Sequence, residues 1–70
     1  MYTLIFESDY VEHVIGRHLL DIEQCEERMI YFCEDHNIPI MRKKTWQDDT
    51  GRLVYDLGLN EQFFICVEEQ

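Results

Sequence analysis

Apolar and polar residues alternate at the start of the chain. Tyr2, Leu4 and Phe6 fall on one side of an extended backbone, and Thr3, Ile5 and Glu7 on the other. That is the period of a strand with both faces partly apolar. From Val11 the period changes. Val11, Ile15, His18, Ile22, Cys25, Met29, Phe32 and His36 are spaced alternately four and three apart, as in a heptad seam. Val14, Leu19, Ile30 and Cys33 widen this face. Asp9 and Glu12 have the N-cap to N3 spacing of a capping box. At the far end, Asn37 suits the left-handed position after a helix, Ile38 can fold back, and Pro39 cannot continue it. The pattern predicts a helix over residues 10–36, roughly 40 Å long. Gly16 is its weak point, and a break near Leu20 and Asp21 is the alternative.

After Pro39 the period returns to two. Residues 40–46 read as a strand, and Asp48, Asp49, Thr50 and Gly51 as a turn with Gly51 at a positive φ. Residues 52–57 form the next strand, with Leu53, Tyr55 and Leu57 on one face. A second turn over residues 58–61 leads to a strand over residues 62–67, where Phe63, Ile65 and Val67 oppose Phe64 and Cys66. The expected fold class is α+β in the order β-α-β-β-β. A three-stranded antiparallel meander joins the N-terminal strand, with one long helix, straight or bent, packed across the sheet. Seventy residues make a single domain over 1–70.

A helix that long overhangs a seven-residue strand, which spans about 23 Å. The surplus seam of Val11, Ile15, His18, Ile22, Cys25 and Met29 is therefore expected to bury itself against a second copy, as a homodimer. The size points the same way, because a lone core of this length is marginal.

Charge narrows the partners. The net charge is −9, which disfavours direct contact with nucleic acid or an anionic membrane and favours a larger protein with a basic surface. Of that charge, −7 falls on residues 1–39 and −2 on residues 40–70. Glu23, Glu26, Glu27, Glu34 and Asp35 are the expected partner-binding array on the helix, able to imitate spaced phosphates and to steer association. An ordinary solvated helix face is the plainer reading of the same residues. Arg42, Lys43 and Lys44 with Trp46 form the one basic cluster, best explained by ion pairs within the chain.

Candidate chemistry is sparse. Cys25, Cys33 and Cys66 form no CxxC, so reduced, buried thiols are expected rather than disulfides. Cys25 lies among acidic residues, which oppose an activated thiolate. The spacing of Cys25, Cys33 and His36 departs from the short ligand pairs of structural zinc sites. His13, His18 and His36 could lend pH sensitivity but more commonly serve as packing or surface residues. No phosphate-binding loop or nucleophile elbow occurs, so no catalytic residue, metal or cofactor is expected. No signal peptide or membrane span is legible, and a cytoplasmic location is expected, in the host cytoplasm if the chain is phage-encoded. The expected function is a small acidic inhibitor or adaptor, of the composition common among phage and mobile-element accessory proteins. The alternative is a homodimeric structural or interaction module with incidental acidity. A third reading is a small domain linked by a Cys/His metal site.

Overall fold

The computed structural model describes residues 1–41, 43–58 and 61–70. Its elements are β1 (Tyr2–Ser8), β2 (Val11–Leu19), α1 (Ile22–Asp35), β3 (Lys44–Gln47), β4 (Leu53–Asp56) and β5 (Gln62–Glu68). The five strands form one sheet in the order β2-β1-β5-β4-β3, with every neighbouring pair antiparallel. Helix α1 packs on one face. The α+β class and the antiparallel meander match the expectation, and the first strand pairs with the last.

The order β-α-β-β-β and the long helix do not. Residues 11–19 form a strand, and the helix is 14 residues, about 21 Å long. It therefore matches the sheet beneath it and has no overhang. Asp9 is not a helix cap. Asp9 and Tyr10 have φ of 52° and 66° and make the two-residue turn of a hairpin whose register begins at Ser8 opposite Val11. Two positive φ angles are the geometry that matches the right-handed twist of paired strands.

The reason for the false period lies in the pairing. Leu4 faces Gly16 while Ile5 faces Val14, and Tyr2 faces Leu19. Strand β2 thus carries an extra residue at two places, and such bulges break strict alternation. Its inward positions Gly16 and Leu19 are three apart, a helix-like spacing produced inside a strand. Gly16 also allows close approach of the helix. A Cβ there would lie 3.6 Å from the Arg28 Cγ and 3.2 Å from the Leu19 Cδ1. The irregular end of β2 is fastened by Glu69, which accepts from the His18 N–H (2.7 Å) and from the Thr3 hydroxyl (2.7 Å).

The helix starts at Asp21, whose carboxylate accepts from the Gln24 N–H at 2.9 Å, and Gln24 in turn accepts from the Leu20 N–H at 3.0 Å. This reciprocal capping satisfies donors that the first turn leaves open. The helix ends as expected. Asn37 has φ 53°, and the Ile38 N–H donates to the Cys33 carbonyl at 2.8 Å, turning Ile38 back onto the core. Gly51 sits at φ 84° in the β3–β4 turn, where Asp48 accepts from the N–H groups of Thr50 and Arg52. Strand β3 is shorter than expected, and part of the turn expected over residues 58–61 lies outside the described residues.

The core fills the space between helix and sheet. Leu4, Phe6, Leu19, Tyr55, Leu57, Phe64 and Cys66 meet Cys25, Met29 and Cys33. Phe6, Phe32 and Phe64 pack with ring centroids 5.0–5.8 Å apart, a separation at which aromatic pairs attract.

Candidate functional site

Helix α1 turns Cys25, Met29 and Cys33 inward at intervals of four. The 3.6-residue turn then places Glu23, Glu27, Ile30 and Glu34 along one stripe on the opposite side. All four are exposed, Ile30 at 42%, and beside them Tyr31 is 56% exposed. Among the described residues, no ion pair engages Glu23, Glu27 or Glu34. A shallow recess of about 210 Å³ borders the stripe, lined by Leu19, Gln24, Glu27, Arg28 and Tyr31.

Of the five predicted partner-binding residues, the fold brings three together. Glu23, Glu27 and Glu34 share the stripe. Asp35 is exposed on one flank, a helical turn beyond Tyr31. Glu26 lies on the other flank, turned toward β4. Its carboxylate accepts from the Tyr55 hydroxyl at 2.9 Å and pairs with Lys43 at 3.3 Å. Burial and the neighbouring carboxylate push the Tyr55 hydroxyl far up from its ordinary pKa, so it stays a donor. Glu26 is a fastening between helix and sheet rather than part of the exposed array.

The two ends of the stripe differ electrostatically. Glu23 lies in the first turn, where the helix dipole favours an anion. Glu34 and Asp35 lie in the last turn, which contains no basic residue. There each carboxylate opposes the dipole at about 0.3–1 kcal/mol. Ile30 and Tyr31 were absent from the predicted site because the heptad placed Ile30 on the inward face. With the inward face centred on Cys25, Met29 and Cys33, Ile30 falls outside it.

The six residues of the expected dimer seam do not form one stripe. Val11 and His18 lie exposed on β2, Ile15 is half-buried there, and Ile22, Cys25 and Met29 face the chain's own sheet. They separate because the seam crosses from a strand into a helix at Leu20.

The sheet face away from the helix carries a different apolar feature. Val14, Ile5, Ile65, Val54 and Trp46 stand directly opposite one another from strand to strand, making a row across all five. Ile65 is nevertheless only 3% exposed. Arg52, just before β4, reaches Glu12 of β2 at 3.8 Å, across this same face. Trp46 packs edge-on against Phe63, centroids 6.3 Å apart. In the basic cluster, Lys43 engages Glu26 and stands 5.8 Å above the Tyr55 ring, as an internal ion pair. Lys44 is exposed opposite Asp56, and Arg42 lies outside the described residues.

The histidines are dispersed. His18 pairs with Glu69 at 2.9 Å, His36 stacks on Phe32 at 4.1 Å, and His13 is exposed on β2. All three cysteines are free and buried. Among the described residues, no group of three or more His, Cys, Asp or Glu side chains is placed to hold a metal, and no helix is long and apolar enough to cross a membrane. No family model, curated protein or solved structure matches the chain.

Proposed function

We propose that this chain is a small acidic inhibitor or adaptor that binds a basic surface of a larger protein through the outward stripe of α1. The observation that carries the reading is the combination on that stripe. Three carboxylates without ion pairs among the described residues flank an exposed Ile30 and Tyr31, beside a recess that a partner side chain can enter. Interfaces commonly pair an aromatic or aliphatic anchor with a polar surround. The placement of Glu34 and Asp35 adds support, since they weaken the helix that carries them, and local rules are most often broken where a surface has another use. Glu23 and Glu27 stand about 6 Å apart along the axis, a spacing suited to a surface that otherwise holds phosphates. The anionic field of −9 would speed the encounter and make it salt-sensitive.

The test is capture from the native host's lysate by two immobilised proteins, wild type and Glu23→Lys/Glu27→Lys/Glu34→Lys. Circular dichroism first establishes that the variant is folded. Proteins retained by the wild type, lost from the variant and released by salt would support the reading. Equal retention by both would sink it.

The runner-up is a homodimeric interaction module with incidental acidity. The apolar row through Ile5, Val54 and Trp46 favours it, whereas the Arg52–Glu12 bridge over that face and the net charge oppose it. A one-chain mass by light scattering at micromolar concentration would exclude it.

A further inference from the structure

Helix α1 and the central strand β5 meet at two thiols. Cys25 is 0% exposed and Cys66 is 3% exposed. Their sulfurs lie 2.9 Å apart, with Cys66 donating to Cys25. Each is held from its own side. The Cys25 N–H donates to the Asp21 carbonyl in the capped first turn, and Cys66 stands between Leu4 of β1 and Leu53 of β4. Ordered backbone, not a mobile segment, brings the sulfurs together. From outside, a recess of about 250 Å³ runs in beside Tyr2, Ile22 and Leu53, and Cys66 forms part of its lining. The third thiol, Cys33, is buried two turns further along the helix.

We propose that Cys25 and Cys66 form a built-in oxidation site, closing an intrachain disulfide in the folded protein when a small peroxide enters this recess. The peroxide O–O bond breaks at the Cys66 sulfur, giving a sulfenic acid and one water. The Cys25 sulfur attacks the sulfenic sulfur, the S–O bond breaks, the second water leaves and the S–S bond forms. Two thiols lose two hydrogens and two electrons, and hydrogen peroxide is reduced to two waters. Cys25 suits the attacking role because its sulfur already lies 2.9 Å from that of Cys66. Burial pushes both thiols up from their ordinary pKa, so the reaction is slow near neutrality and quickens as the pH rises. The bond joins positions 41 apart and fastens the helix to the middle of the sheet. In a domain this small, such a staple supplements a limited core. This site is independent of the helix stripe.

The whole folded protein is treated with hydrogen peroxide at mildly alkaline pH, unfolded, alkylated and mapped by mass spectrometry. A parallel sample is oxidised in urea. The expected native product has lost two hydrogens, links Cys25 to Cys66, leaves Cys33 alkylated and returns to three thiols with dithiothreitol. In urea, where chain separation alone governs pairing, the nearer Cys25–Cys33 link competes. The Cys33→Ser variant should give the same native product. Native protein that keeps three thiols would overturn the proposal. So would overoxidation of Cys66 without a bridge, or the same mixture of links in native and urea samples.

Discussion

The bond between Tyr55 and Glu26 gives the sharpest test of the fold. Tyr55 is 1% exposed, so in the folded protein its hydroxyl relies on Glu26 as its acceptor. A hydrogen bond to a charged group contributes about 1.5–3 kcal/mol, and a buried donor left without a partner costs about 1–3 kcal/mol. The Glu26 side chain is 35% exposed, so water replaces part of what it loses when Tyr55 becomes Phe, and the lower end applies. Tyr55→Phe should therefore destabilise by about 1.5 kcal/mol. Glu26→Ala should cost about 2 kcal/mol, since the exposed Lys43 pair adds little. For a domain of this size 1 kcal/mol moves the Tm by about 4–8 °C, so each variant should melt roughly 6–16 °C lower. A double-mutant cycle by urea unfolding isolates the pair, with an expected coupling of about 1.5 kcal/mol. Coupling below about 0.4 kcal/mol would lie within ordinary additivity and would refute the argument. Glu27→Ala, one residue away and exposed, should stay within about 0.5 kcal/mol of wild type. Glu26 variants should change stability and leave partner capture intact, the reverse of Glu27 and Glu34.

Other consequences can be measured on the same material. Asp21→Ala removes the N-cap acceptor and should cost about 1 kcal/mol in urea, while Asp21→Asn should cost only a few tenths. Glu69 is held down to about 2 from its ordinary 4.5, first by the Thr3 hydroxyl and then by the His18 N–H. The unfolded chain therefore takes up this proton first as the pH falls. The stabilisation is complete above about pH 4.5 and is lost toward pH 2. Wild-type stability should fall across that window, and its advantage over Glu69→Gln should shrink there. An advantage that stays constant with pH would contradict the assignment. At the alkaline end, burial raises Cys25, Cys33 and Cys66 above their ordinary 9.0. The unfolded thiols ionise first, so stability should decline as the pH passes about 9, less steeply in Cys33→Ser.

The legible parts of the fold were those whose signals are local. Period-two alternation in Tyr2–Ser8, Leu53–Asp56 and Gln62–Glu68 needs no partner to be read, and each proved a strand. The helix stop at Asn37 and the turn at Gly51 were written in residues that tolerate a positive φ. Residues 9–19 misled because their turn has no glycine and their strand is bulged. The β-branched Val11, Val14 and Ile15, close together, were the strand signal available there. The candidate site was half legible. Acidity on the helix could be counted and set opposite Ile22, Cys25 and Met29, but that Glu26 is taken up by Tyr55 and Lys43 required the packed sheet.

The sequence by itself determined the class, the meander, the acidity and the reduced, buried state of the thiols, because period, turn chemistry and composition act over a few residues. Tertiary structure alone decided that residues 11–19 pair with β1, since an edge strand offering a ladder outweighs a helix-like spacing. It also decided that Glu26 turns to Tyr55 while Glu23, Glu27 and Glu34 face outward, and that Cys25 meets Cys66. The Glu26–Tyr55 and Cys25–Cys66 contacts join residues 29 and 41 positions apart, which only the packing of the helix on the sheet brings within reach, and no local pattern carries that information.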